Sequence, residues 1–230
     1  MKRIVIILLA VYAFVLSDLE IAYAQEARVY GRIFMPAVTK KKKTSRGRLY
    51  RNRLSSGSKR SQSKAEASSS FQDVIIAAYP LSFKADVKPL ETARVVQRNA
   101  KFIPNVLPVT PGTKVEFINL DRFFHNVFSI SPGARFNIGR RPTNAVVQWT
   151  INKRGDINLF CDIHSQMNAK IVSLNTPYFT TANNNGVYLL DKLPAGTYRI
   201  EVVHPSFKKV STQVNISQGS SLEESFTLSN

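Results

Sequence analysis

From Glu91 to the last residue, short runs of alternating apolar and polar residues recur, and Gly, Pro or Asn interrupts them about every ten residues. A period of two sends successive side chains to opposite faces, the pattern of a strand with one buried face. "ARVVQRN" (93–99), "FIPNVLPV" (102–109), "PGTKVEFIN" (111–119), "HNVFSI" (125–130), "AVVQWTI" (145–151), "GDINLFC" (155–161) and "NAKIVSL" (168–174) read this way. So many strands at that spacing predict a β-sandwich. No convincing amphipathic helix interrupts them, and the fold class expected is all-β.

After Leu174 the pattern restarts. "NNNGVYLLDKLPAGTYRIEVVHPSF" (183–207) has a turn at Asn183–Gly186, a strand, a Pro194-Ala195-Gly196 turn and a second strand. There Tyr198, Ile200 and Val202 alternate with Arg199 and Glu201. "VSTQVNI" and "ESFTLS" add two more strands. Four strands make a thin sandwich, and two strands nearer the N-terminus lack neighbours: "ARVYGRIF" (27–34) and the apolar "DVIIAAYP" (73–80).

The chain begins with Lys2 and Arg3, an apolar run from Ile4 to Leu16, and a small-x-small site at Ala22-Tyr23-Ala24. That order predicts a signal peptide over 1–24, a mature start at Gln25, and a periplasmic or otherwise exported location. The apolar run is short for a membrane span, and no second run is long enough for one.

The formal charge is +17, and eleven of its Lys and Arg residues fall in residues 40–64, which contain no acid. Ser, Gly and Asn separate them, so the tract cannot bury enough apolar surface to order itself, and 39–70 reads as a disordered basic linker. In an exported chain such a tract suits an anionic surface or an acidic partner rather than nucleic acid.

The sequence has one cysteine, so it forms no internal disulfide. A lone thiol outside the cytosol is either buried or occupied, because an exposed one is prone to oxidation. Cys161 ends an apolar strand, and "CDIHSQM" (161–167) sets His164 and Met167 behind it. His125 lies upstream in "HNVFS". One thiolate, two imidazoles and one thioether make the ligand set of a trigonal copper site with a weak axial bond. Zinc prefers stronger fourth ligation.

Two resemblances follow from these residues. C-x-x-H-x-x-M after H-N-V, with "FIPNVLPVTPGTKVEFINLD" (102–121) before it, resembles the cupredoxins of the amicyanin and methylamine-utilisation branch. The resemblance implies a Greek-key sandwich holding one type 1 copper ion, with His125, Cys161 and His164 as equatorial ligands and Met167 axial. It makes Asn126 a residue that hydrogen-bonds across to the Cys161 loop. Cupredoxins commonly carry Thr, Ser or Glu after the Cys, where this chain has Asp162. "GVYLLDKLPAGTYRIEVVHPSF" is similar to the carboxypeptidase-regulatory-like, transthyretin-like sandwich, whose first half looks like "ARVYGRI…QDVIIAAYP".

Together these predict strands 25–38 and 71–86 of a regulatory-like sandwich, a copper unit at 87–174 inserted into it, and its remainder at 175–230. The function implied is a type 1 copper protein carrying single electrons between periplasmic redox partners. A copper storage or delivery protein, and a metal-free adhesion or carbohydrate-recognition module, are the alternatives. An enzyme is disfavoured: three histidines cannot supply a trinuclear copper cluster. His204, in "VVHP", reads as a surface or packing residue.

Overall fold

The computed structural model of the chain describes residues 26–36 and 70–230. The leader read at 1–24 and the basic tract at 40–64 lie outside the described residues. The regular elements among the described residues are all strands, apart from one 3-10 turn at Phe71–Asp73, and no helix among them is long and apolar enough to cross a membrane. The chain is all-β.

Two strands come first, β1 (Ala27–Phe34) and β2 (Ile75–Pro80). The chain then builds a sandwich of its own before returning to them. One sheet of that sandwich runs β4 (Lys101–Ile103), β3 (Ala93–Arg98), β6 (Thr113–Asn119), β9 (Val146–Ile151). The facing sheet runs β5 (Val106–Val109), β11 (Asn168–Ser173), β10 (Gly155–Phe160), β7 (Phe128–Ser129), β8 (Phe136–Asn137). β3 lies parallel to β6, with Val95 opposite Phe117, and β5 parallel to β11, with Leu107 opposite Ile171. Inward residues of both sheets meet in one core that includes Val95, Val115, Phe117, Ile157, Leu159 and Ile171. Fully burying each such side chain contributes about 1.5–3 kcal/mol.

The remaining strands are β12 (Tyr178–Thr181), β13 (Val187–Leu193), β14 (Gly196–His204), β15 (Phe207–Ile216), β16 (Ser221–Glu223) and β17 (Phe226–Thr227). They supply the neighbours that the two early strands lack. β1 pairs antiparallel with β13 and parallel with β16 and β17, and β2 sits between β12 and β14, with Ala78 opposite both Tyr178 and Ile200. β1 alternates buried and exposed residues: Ala27, Val29 and Ile33 face the core, where they meet Tyr188, Tyr198 and Ile200. The L-P-x-G-x-Y motif also acquires a physical reason, because the buried Tyr198 donates its hydroxyl back to the Pro194 carbonyl at 2.7 Å.

β2 departs from simple alternation because both its faces are covered. Ile76 and Ala78 point into their own sandwich, while Ile75 and Ala77 meet Val106, Val172 and Leu174 of the other one. A strand buried on both faces reads as a continuous apolar run. Polar ties flank this contact: Asn105 donates to Asp73 across the two sandwiches at 3.1 Å, and Thr176 donates to the Ala78 carbonyl at 2.6 Å. Burial raises the Asp73 carboxyl above its ordinary range, offset by the Asn105 bond and by His204. His204 is a buried packing residue here rather than a surface one, with its ring beside Phe207.

Several boundaries differ from the sequence reading. "FIPNVLPV" divides into β4 and β5, and "HNVFSI" shrinks to Phe128–Ser129, with His125 on an isolated bridge to Arg141. β8, β12 and β16 are too short to carry a visible period.

Gly31 is the closest backbone approach in β1. A Cβ there would collide with the Glu224 carbonyl, on the segment joining β16 to β17. Gly31→Ala should therefore lower stability by about 1–3 kcal/mol through overpacking, a fall of about 2–4 °C in melting temperature per kcal/mol for a protein of this size. Thermal unfolding of the two proteins measures it.

Candidate metal centre

The candidate residues reach one end of the inserted sandwich from two loops. β10 alternates Ile157 and Leu159 inward, and the next inward position after it is Cys161, 5% exposed in the apolar core. The loop behind it closes on itself: the Met167 amide donates to the His164 carbonyl at 2.9 Å, and the Cys161 amide to the Met167 carbonyl at 3.3 Å. Those two bonds turn the chain tightly enough to put Cys161, His164 and Met167 on one small arc. Met167 is buried in the same core cluster as Cys161.

His125 comes from the other loop, after β6. It is fully buried, and the ring of His164, half-buried, lies beside it with centroids 4.8 Å apart. The Nδ1 atoms of both histidines stand 3.9 Å from Cys161 Sγ, and one ligand atom from each residue falls within 4.8 Å of the others. A first-row ion about 2.3 Å from sulfur and about 2.0 Å from each nitrogen would hold such atoms roughly 3.5–3.7 Å apart. Both sulfur–nitrogen separations are thus near what one ion would impose. The residues present fit a soft, nitrogen- and sulfur-liganded metal.

Around the donors the loop is held by groups that the sequence reading did not single out. Asn119, buried at the end of β6, donates to the carbonyls of Phe123 at 2.9 Å and Arg141 at 3.0 Å, while its Oδ1 accepts from the Asp121 amide at 2.9 Å. Asp121 in turn accepts from His125 Nε2 at 2.7 Å and from the amides of Asn99 at 2.6 Å and Ala100 at 2.9 Å. Burial pushes its carboxyl up, but those three hydrogen bonds outweigh burial and hold it below the usual carboxylate range. The signal available in sequence was "NLD" four residues before a histidine, an acid and an amide at the end of a strand.

Asn126 is buried, but the bridge expected from it to the Cys161 loop is not among the bonds formed. Its carbonyl accepts from Gln97 Nε2 at 3.3 Å, and its Oδ1 has no partner. Asp162, the unusual residue after the Cys, turns outward to Arg140, with Nε to Oδ2 at 3.4 Å. Phe123 is 46% exposed and covers both imidazoles, its ring 5.0 Å from that of His125 and 5.3 Å from that of His164. Beside it Phe124, Arg140 and Ile163 line a shallow depression of about 390 Å³.

Strands β3 to β11 thus form a two-sheet β-sandwich beside a second, smaller one. Residues 166–229 match the carboxypeptidase regulatory-like domain. The chain is similar to a purple cupredoxin from Nitrosopumilus maritimus, at 21% identity and a TM-score of 0.33, over 36% of this chain and 99% of that one. It is also similar to an amicyanin variant in its reduced state, at 18% identity and a TM-score of 0.34, over 43% of this chain and 99% of that one. A copper-containing nitrite reductase from Thermus scotoductus is 26% identical with a TM-score of 0.35, over 42% of this chain and 25% of that one. No curated protein matches the sequence.

Asn119→Ala would leave the carbonyls of Phe123 and Arg141 buried without their donor. The expected loss is about 1–3 kcal/mol of stability, the cost of unsatisfied buried acceptors. Denaturant unfolding of the wild type and the variant measures this.

Proposed function

We propose that this chain is an exported, single-copper electron-transfer protein rather than an enzyme. The observation that carries the reading is the convergence of the lone thiol with two imidazole nitrogens, all within 4.8 Å, at the end of a stiff sandwich. His125, Cys161 and His164 would hold the ion and Met167 would supply the weak axial bond. Copper in a His₂Cys site of this kind cycles between two oxidation states, with its potential tuned by the axial ligand. The chain's part is to keep the donors where they are in both states: the Cys161 loop is closed by its own backbone bonds, and the His125 loop is tied by Asn119 and Asp121. Small rearrangement is what a carrier needs.

Residues 87–174 form the copper unit in this reading, inserted in a sandwich made of 25–38, 71–86 and 175–230. Export rests on the leader read at 1–24. The partner would be a redox protein meeting the half-exposed His164 edge, where Phe123, Phe124 and Ile163 expose apolar surface and Arg140 lines the depression beside them. An acidic counterpart fits such a rim, and residues 40–64 would strengthen attraction to any anionic surface.

Purified protein with copper(II) should show intense visible absorption from the Cys161 thiolate, and Cys161→Ser should abolish it. Met167→Leu should keep copper and raise the midpoint potential, because losing the axial donor disfavours copper(II). A colourless wild type, with Cys161→Ser binding copper equally well, would overturn the proposal. Irreversible redox titration with copper bound would favour storage or delivery instead.

A further inference from the structure

We propose that Asp121 is a positioning residue that fixes the ring of His125 and lowers the reduction potential of the copper site; this rests on the copper reading above. The carboxylate lies 2.7 Å from His125 Nε2, on the side of the ring away from Cys161, while Nδ1 faces the sulfur. An ionised carboxylate only accepts hydrogen bonds. Nε2 therefore carries the proton, and the Nδ1 lone pair is left pointing at the place where the thiolate and His164 converge.

The acid is itself immobilised. Its Oδ1 accepts from Asn99 N and its Oδ2 from Ala100 N, at the turn between β3 and β4, where both residues adopt left-handed backbone conformations. Its own amide is held by Asn119 Oδ1. The chain Ala100–Asp121–His125 thus runs from a partly exposed hairpin turn on one sheet to the fully buried His125. A fixed negative charge one ring away from the ion stabilises copper(II) more than copper(I), and makes the imidazole a better donor. Two other roles would account for the carboxylate differently: pinning the hairpin turn, or filling space beside Phe123. Neither would move a potential.

The test compares copper-loaded full chains of the wild type, Asp121→Asn and Asp121→Glu. Asp121→Asn keeps the shape and removes the charge. It should weaken copper(II) binding about tenfold to a hundredfold, with copper(I) binding little changed. A tenfold loss confined to copper(II) equals a rise of about 59 mV in a one-electron midpoint. Asp121→Glu, which keeps the charge, should lie nearer the wild type. If Asp121→Asn loses stability in denaturant but keeps the wild-type midpoint, Asp121 only pins the turn and the proposal is overturned. Metal-free wild-type protein supplies an independent arm. Long-range ¹H–¹⁵N spectra should show His125 protonated at Nε2, and protonation at Nδ1 would overturn the proposal without any copper present. A wild type that binds no copper would instead sink the electron-carrier reading, with the tautomer still deciding the role of Asp121.

Discussion

Everything at the candidate centre depends on where β10 ends. Ile157 and Leu159 are fully buried, so the strand cannot slip by one residue without turning its apolar set to solvent and Cys161 away from the core. The core therefore fixes the height and the facing of the thiol before any metal is considered. The loop that follows is short and closed by backbone bonds from Met167 to His164 and from Cys161 to Met167. Its freedom is spent on backbone pairing, and His164 inherits a position relative to the sulfur. The remaining donor must be brought to that place from elsewhere, which is the task of Asn119 and Asp121 on the opposite sheet.

The second sandwich constrains the first from behind. β2 contributes one face to each hydrophobic contact, so its sheet is the middle layer between the core of the smaller sandwich and the β5–β11 surface of the larger one. Because β1 and β2 precede the inserted strands while their partners follow them, the smaller sandwich closes only when the whole insertion has been made. The sheet that carries Cys161 is thus backed by the contact of Val106, Val172 and Leu174 with Ile75 and Ala77. That contact is apolar, with Asp73 and Asn105 bonded at its margin.

The legible parts of this chain were those governed by period and ligand chemistry. Alternation in β6, β10 and β14 corresponds to buried faces as read, and the sparse His and Cys content left few residues to weigh as donors. The motif "CDIHSQM" could be interpreted because a tight loop after an inward-facing strand end leaves little room for other arrangements. What the sequence did not display was relational. Asn119 and Asp121 look like ordinary loop residues until the β3–β4 turn and the Arg141 segment are brought against them. The bridge assigned to Asn126 depended on a likeness rather than on physics, and that side-chain oxygen is without a partner. Strands such as β8 and β16, only two or three residues long, have no period to detect.

The two imidazoles are unequal, and the inequality has a chemical meaning. His125 is sealed from solvent, held by a carboxylate on one nitrogen, and bridged by its backbone to Arg141. His164 is half-buried and makes no comparable side-chain bond; its Nδ1 faces only the sulfur, and Phe123 covers its ring. A buried, anchored ligand beside a more loosely held, partly exposed one divides the labour of such a centre. The first resists rearrangement of the site. The second reaches the surface, where Phe124, Ile163 and Arg140 line the neighbouring depression. Asp162 belongs to that division too. Paired outward with Arg140 at the surface, its carboxylate is part of the rim rather than of the buried donor cluster.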